Sequence, residues 1–232
     1  MKILVIIPAY NEALNIERVV DNLIENHPTL DYIVVNDGSK DNTAEILRHR
    51  RYHFINLPIN IGLAGAVQTG LKYAALHEYD VAVQFDGDGQ HNAEHIYELS
   101  EIMEQTRADI VIGSRFKTEK KHGGLRMAGS TFIAFLIKLT TTQKITDPTS
   151  GMRMFRKNII NEFAWNMNYG PEPDTIAYLI KNGAKVSEIQ VSMNERTAGE
   201  SYLNFTRAIR YMLHMCISIV FIGQFRKRTG CK

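Results

Sequence analysis

The sequence predicts an α/β fold with a mainly parallel central sheet flanked by helices. Short runs rich in Ile and Val recur along the first half, as strands buried on both faces require. Helical patterns alternate with these runs, which argues for right-handed βαβ units. Asn, Asp, Gly and Ser follow the runs, and these residues turn a chain at strand ends. Strands are expected at 2–7, 32–35, 53–57, 80–85 and 109–112, with helices at 13–26, 41–50, 62–77 and 93–106. In the first helix Val19, Val20, Leu23 and Ile24 make one apolar stripe. Asp41 and Asn92 are the expected N-caps. The second half is less regular, with a helix near 125–140, strands near 151–155 and 185–193, and a last helix from about 203.

At 232 residues the chain reads as one globular unit, and its 44% hydrophobic content is ample for a core. A net charge of +2 gives no basis for general nucleic-acid binding. Cys216 and Cys231 match no zinc spacing and no disulfide framework, which points to a reducing cytoplasm. The opening run Lys2 to Pro8 is too short for a signal peptide and reads as the first strand.

The most informative feature is Asp86-Gly87-Asp88, directly after the apolar run ending at Phe85. Open α/β sheets bind ligands beyond the carboxyl ends of their strands. Two carboxylates there suit a hard cation such as Mg²⁺ or Mn²⁺, which in turn neutralises a diphosphate. Taken alone, such a triplet is more often an acidic turn. Two further loops, Pro8-Ala9-Tyr10-Asn11-Glu12 and Asn36-Asp37-Gly38-Ser39, would emerge on the same edge. Tyr10 could stack on a base, Asp37 could accept from an imide N–H, and the Asp86/Asp88 pair could supply a ribose contact and a metal. The plainer readings are a core-edge aromatic for Tyr10 and a turn or cap aspartate for Asp37.

These loops, with Asn60-Ile61-Gly62, Asp86-Gly87-Asp88-Gly89-Gln90-His91, Gly113-Ser114-Arg115 and Asp147-Pro148-Thr149-Ser150-Gly151, resemble successive signatures of the family 2 glycosyltransferases. The resemblance covers about residues 1–202 and is nearest the dolichol-phosphate mannose synthase and polyprenyl-phosphate sugar transferase type. It implies a single-domain, Rossmann-like GT-A fold over 1–202, followed at 203–232 by a C-terminal amphipathic helix and basic tail. Carried over by position, Pro8, Tyr10, Glu12 and Asp37 match residues that hold the nucleotide, with Asp86 beside them. Asp86, Asp88 and Gln90 match the metal site, with Asp88 also counted as catalytic. Arg126 and Ser130, with Arg115 nearby, resemble the group that grips an acceptor phosphate. Arg196 and Ser201 look like the Arg-x-x-Gly-x-Ser segment that closes on the donor diphosphate, Arg196 acting in catalysis. A planar guanidinium fork suits phosphate oxygens.

Two positions depart from the family pattern. Asn36 stands where Asp is common, which leaves Asp37 as the only carboxylate of that pair. Glu172 and Asp174, in Gly170-Pro171-Glu172-Pro173-Asp174, lie where members that glycosylate a hydroxyl carry a general base. A hydroxyl needs that base, whereas a phosphate is already anionic. Asp174 is therefore a catalytic candidate for a sugar acceptor, while Arg126 and Ser130 fit a phosphate acceptor. A helix start with acids at its N-terminus explains the two carboxylates equally well.

The run Met215–Phe221 is far shorter than the roughly 20 residues that cross a bilayer. With Arg226-Lys227-Arg228 beyond it, the last helix is expected either to lie at a membrane surface or to pack in the core. The resulting expectation is a cytoplasmic glycosyltransferase, peripheral at the inner face of the cell membrane. It would use a nucleotide-diphosphate sugar of UDP or GDP type with Mg²⁺ or Mn²⁺. The acceptor would be a polyprenyl phosphate or another lipid-linked acceptor, or alternatively a saccharide hydroxyl, and a small membrane protein is a conceivable partner. A non-catalytic nucleotide-binding module is the alternative of another class. No Gly-x-Gly-x-x-Gly follows the first strand, which disfavours a dehydrogenase.

Overall fold

A computed structural model describes residues 1–118, 125–167, 169–193 and 205–222. Seven strands form one sheet: β1 (Ile3–Ala9), β2 (Asp31–Asn36), β3 (Phe54–Asn56), β4 (Val81–Gln84), β5 (Ile110–Ser114), β6 (Arg153–Arg156) and β7 (Val186–Gln190). Their order is β3-β2-β1-β4-β6-β5-β7. Every pairing is parallel except those of β6, which runs antiparallel to β4 and β5. The reversal matters for the site. It brings the start of β6 to the edge where β4 and β5 end, so Arg153 lies opposite both Gln84 and Ile112.

Helices α1 (Ile16–Asn26), α2 (Thr43–His49), α3 (Gly62–Leu76) and α4 (Glu94–Thr106) return the chain between the parallel strands. In the second half come α5 (Leu125–Thr141), α6 (Lys157–Asn161), α7 (Pro173–Lys181) and α8 (Phe205–Ile217). Both α6 and α8 run on into single π-helical turns, Glu162–Asn166 and Ser218–Ile222. Two apolar clusters cover the two faces of the sheet. One includes Val20, Leu23, Ile96 and Leu99 from α1 and α4. The other includes Val67, Ile133, Ile137, Ile176 and Met215 from α3, α5, α7 and α8.

The pattern-based strands stand within a residue or two, apart from the last, which ends at Gln190 rather than 193. The first helix starts at Ile16, because residues before it form a turn in which the Glu12 carbonyl accepts from both Asn15 and Ile16 N–H. Asp41 and Asn92 bond as caps do, to the N–H of Thr43 and Glu94 at 3.0 Å each. Each does so from one residue ahead of the N-cap position. α8 packs against α5 and α7, and Met215 and Ile219 are buried in the shared core. The contact is close: a Cβ on Gly129 of α5 would sit 1.5 Å from Met212 Sδ.

Candidate active site

The loops after β1 and β2 are laced together at the carboxyl edge. Asn11 N–H donates to Ser39 Oγ at 3.0 Å, Glu12 N–H to Thr43 Oγ1 at 3.0 Å, and Lys40 N–H to Asn11 Oδ1 at 2.9 Å. Pro8 is the buried penultimate residue of β1, and Tyr10 follows it half-buried. Glu12 uses its carboxylate to hold Asn15 Nδ2 at 2.8 Å. Asp37 is 2% exposed, and its two oxygens accept the N–H groups of Ile61 (2.8 Å) and Gly62 (2.9 Å). Those are donors at the start of α3 that the helix itself cannot satisfy. Asp37 thus caps α3 from across the sheet, the plainer of its two readings. Asn36 is likewise spent on structure, donating to Asn56 Oδ1 at 2.6 Å and accepting from Ser39 Oγ at 2.5 Å.

The loop after β4 carries both predicted metal carboxylates. Asp88 is 7% exposed and accepts Gln90 N–H at 3.0 Å, an aspartate turn of the common kind. The Asp86 side chain is 30% exposed. Gln84 Nε2 approaches its Oδ1 at 3.3 Å, and Gly151 comes so close that a Cβ there would lie 2.3 Å from Oδ2. His91 closes the loop by accepting Asp86 N–H on Nδ1 at 2.9 Å. Its backbone bridges Met193, and His95 Nε2 accepts Ser192 N–H at 3.1 Å. Residues 194–204 follow Met193 in the chain. Arg196 and Ser201 lie in that stretch, outside the described residues.

The donor set fits a hard divalent cation. No group of three or more His, Cys, Asp or Glu among the described residues could hold a metal alone. Mg²⁺ needs no such cage, since one or two carboxylates and substrate phosphates suffice. Asp86 and Asp88 are such a pair, with Gln90 on the same loop.

On the acceptor side the expected residues are engaged by other side chains. Arg115 does not present a free fork to a phosphate, because Asp147 takes it: Nε to Oδ2 at 2.7 Å and Nη2 to Oδ1 at 2.9 Å. Asp147 is fully buried. Burial pushes its carboxyl upward, but the hydrogen bonds and charge of Arg115 outweigh that and hold it below the usual carboxylate range. Ser130 is buried too, reached by Thr149 Oγ1 at 3.2 Å. Arg126 stands on α5 one turn before Ser130; its side chain lies outside the described residues.

The candidate bases are engaged in the same way. Asp174, in the first turn of α7, is 5% exposed, and its Oδ2 accepts from Ser218 Oγ at 2.5 Å. Glu172 Oε2 accepts from the Tyr211 hydroxyl. Burial, and next the charge of Glu172, push the Tyr211 hydroxyl far above its ordinary range, so it stays a donor. Both carboxylates face the C-terminal helix. The sequence reading assigned no part to Arg153, Tyr211, Ser218 or Gln84. Arg153 is 5% exposed on β6, bonding Pro148 O at 2.8 Å. Its position after Ser150-Gly151 was the one available signal.

Residues 4–163 match the family model described as Glycosyl transferase family 2. The chain is 31% identical over 212 residues to a UDP-N-acetylglucosamine–dolichyl-phosphate N-acetylglucosaminyltransferase of Methanococcus voltae, covering 82% of this chain and 84% of the relative. It is 29% identical over 222 residues to an undecaprenyl-phosphate mannosyltransferase of Micrococcus luteus, covering 88% of each. Among solved structures, glucosyl-3-phosphoglycerate synthase from Mycobacterium tuberculosis, with Mn²⁺, UDP-glucose and phosphoglyceric acid, superposes with a TM-score of 0.71. That match covers 94% of this chain and 79% of the other at 16% identity, a likeness of fold alone. The fold is that of the GT-A glycosyltransferases. The chain belongs to glycosyltransferase family 2, and within it resembles the polyprenyl-phosphate sugar transferases.

Proposed function

We propose that this enzyme moves a sugar from a UDP- or GDP-sugar to a polyprenyl phosphate, with Mg²⁺ or Mn²⁺ held by Asp86 and Asp88. The observation that carries the acceptor is the engagement of Glu172 and Asp174 by Tyr211 and Ser218. A hydroxyl acceptor needs a base free to take its proton, whereas a phosphate attacks as an anion. The printed names of the Methanococcus and Micrococcus relatives point the same way. The donor class draws support from solved neighbours bound to UDP-glucose or GDP-mannose with Mn²⁺.

The parts then divide as follows. The β1 and β2 loops shape the nucleotide pocket, with Tyr10 as base platform and with Pro8, Glu12 and Asp37 fixing the walls. A bound cation supplies Lewis-acid stabilisation to the departing diphosphate. Arg196 and Ser201 close over that diphosphate, and Arg126 with Ser130 orients the attacking phosphate. The Arg115–Asp147 pair holds the Thr149 turn against Ser130.

Phe132, Phe135 and Leu139 on α5 and Leu213, Ile217 and Phe221 on α8 and its π turn are exposed, with Lys138 and Arg210 exposed nearby. No helix among the described residues is long and apolar enough to cross a membrane. We read these side chains as a membrane-resting face, on the inner leaflet where the lipid acceptor would be met. The small membrane-protein partner expected from the sequence gains no support from the comparisons.

The decisive experiment incubates the protein with radiolabelled UDP- and GDP-sugars, Mn²⁺, and either undecaprenyl and dolichyl phosphates or oligosaccharides. Label in the lipid phase is expected. Transfer to oligosaccharides alone would overturn the acceptor assignment. For the membrane face, Phe135→Ser with Leu213→Ser should release the protein from anionic vesicles while leaving Tm unchanged. Unaltered sedimentation would count against it.

A further inference from the structure

The loop that carries Asp86 also carries a histidine to which the reaction above gives no part. His91 is 5% exposed, and its Nδ1 accepts the Asp86 backbone N–H at 2.9 Å. Accepting there requires a lone pair, so this bond pattern assigns the proton of the neutral ring to Nε2. That Nε2 is buried and has no hydrogen-bond partner. Oδ2 of the same Asp86 stands 3.6 Å away, just beyond hydrogen-bonding reach. A buried N–H left unbonded is costly, and native structures keep one only for a reason.

The ring is buried where it stands, with its Nδ1 on the Asp86 N–H. Phe85 meets it edge-on with 5.4 Å between centroids, and the His91 backbone is bridged to Met193. The carboxylate is the movable member, since its side chain is 30% exposed. Gln84 approaches the other oxygen, and Oδ2 lies against Gly151, where any side chain would collide with it.

We infer that His91 is a positioning residue acting through Asp86. Its Nε2–H closes onto Oδ2 as a divalent cation and a nucleoside diphosphate are taken up, fixing how that carboxylate presents its remaining lone pairs. The inference rests on the reading of Asp86 and Asp88 as the cation-holding pair. Donors placed behind a ligating side chain in this way change metal affinity by about 10–100-fold.

Two substitutions separate the nitrogens. His91→Asn keeps an acceptor where Nδ1 stands and removes the group at Nε2, whereas His91→Gln extends an amide N–H towards the Nε2 position. The probe is Mn²⁺ with UDP or GDP, followed by the EPR signal of the free ion. The Asn variant should bind Mn²⁺ about tenfold more weakly or worse, and the Gln variant should recover most of that. Metal-free nucleotide affinity should stay at the wild-type value in both. In an Asp86→Asn background, His91→Asn should add no further loss. Wild-type Mn²⁺ affinity in both variants overturns the inference, and so does an equal loss in both, which would mark the ring as a mere shape. Should the variants fail to fold, the wild type answers alone. Its imidazole ¹⁵N spectrum should show the Nε2–H tautomer, with that proton moving downfield when Mg²⁺ and nucleotide are added, and an unmoved resonance overturns the inference. If wild type binds no Mn²⁺ and Asp88→Asn changes nothing, the cation reading falls and takes the inference with it. Binding lost in Asp88→Asn but intact in both His91 variants fells the inference alone.

Discussion

Around β1, β2 and β4 three aspartates accept from backbone N–H groups: Asp37 from Ile61 and Gly62, Asp41 from Ala13 and Thr43, and Asp88 from Gln90. Around β5, β6 and α7 three other carboxylates meet side chains: Asp147 meets Arg115, Glu172 meets Tyr211, and Asp174 meets Ser218. The first arrangement builds a frame of loops whose shape does not depend on distant helices. The second makes the acceptor side conditional on the packing of α8 and its π turn and on the Arg115–Asp147 pair. Charge in the first region is thus available to ligands on the loop after β4, where the Asp86 side chain is 30% exposed and Asp88 stands two residues on. In the second region, charge is committed before any ligand arrives.

The largest effect should come from the donor side. Asp88→Asn removes a charge from the proposed cation site with almost no change of volume. We expect transfer to fall by about 10²–10³-fold or more, as when an electrostatic stabiliser is lost, with Tm unchanged. Undiminished turnover at saturating Mn²⁺ would refute the assignment and make the acidic turn a structural one on both sides of the molecule.

Next in size is the buried pair. Arg115→Met leaves Asp147 buried without its counter-charge, a loss of about 3 kcal/mol at neutral pH, taken at the low end because the Arg115 side chain is 30% exposed. The sign with pH follows from the lowered carboxyl. A carboxyl depressed on folding stabilises fully above the unfolded value near 4, and that contribution is lost as pH falls through the folded value. The gap between wild type and Arg115→Met should therefore narrow in acid, seen by thermal melts from pH 7 to pH 3. A gap independent of pH would mean the pair contributes packing rather than charge.

Asp37→Ala tests the frame. With both oxygens on the start of α3, it should cost about 1–2 kcal/mol of stability, the worth of a helix cap. Any loss of nucleotide affinity should be mirrored in a loosened fold. Calorimetry showing weaker UDP or GDP binding at unchanged Tm would instead return Asp37 to direct base recognition.

The same contrast explains what could be read from the sequence. The strands and the Asp86-Gly87-Asp88 loop were legible because runs of Ile and Val and the turn residues after them are local signals. Asp37 was placed correctly in a loop at the ligand edge, but its partners lie 24 and 25 residues on, and no local pattern names them. The acceptor side depends on still longer spans: 32 residues from Arg115 to Asp147, 39 from Glu172 to Tyr211 and 44 from Asp174 to Ser218. The guanidinium chemistry of Arg115 that suits phosphate also suits a carboxylate, so its pairing with Asp147 is not visible locally. α6 escaped notice because five residues running into a π turn carry no helical period.

The smallest expected effect is the most discriminating for the acceptor. Asp174→Asn keeps an oxygen to accept from Ser218 and removes only the charge and basicity. If a phosphate attacks, no proton need leave it, and transfer to polyprenyl phosphate should fall less than about tenfold, against the 10²–10⁴-fold that loss of a general base would produce. Glu172→Gln should behave alike, because the Tyr211 hydroxyl can donate to an amide oxygen as it does to the carboxylate. Arg126→Ala, measured beside them, should be the impaired variant, since the anionic nucleophile then loses a guanidinium. The reverse pattern, a dead Asp174→Asn beside a healthy Arg126→Ala, would show that α8 releases Asp174 during turnover. The acceptor side would then be the conditional half of the molecule in function as well as in packing.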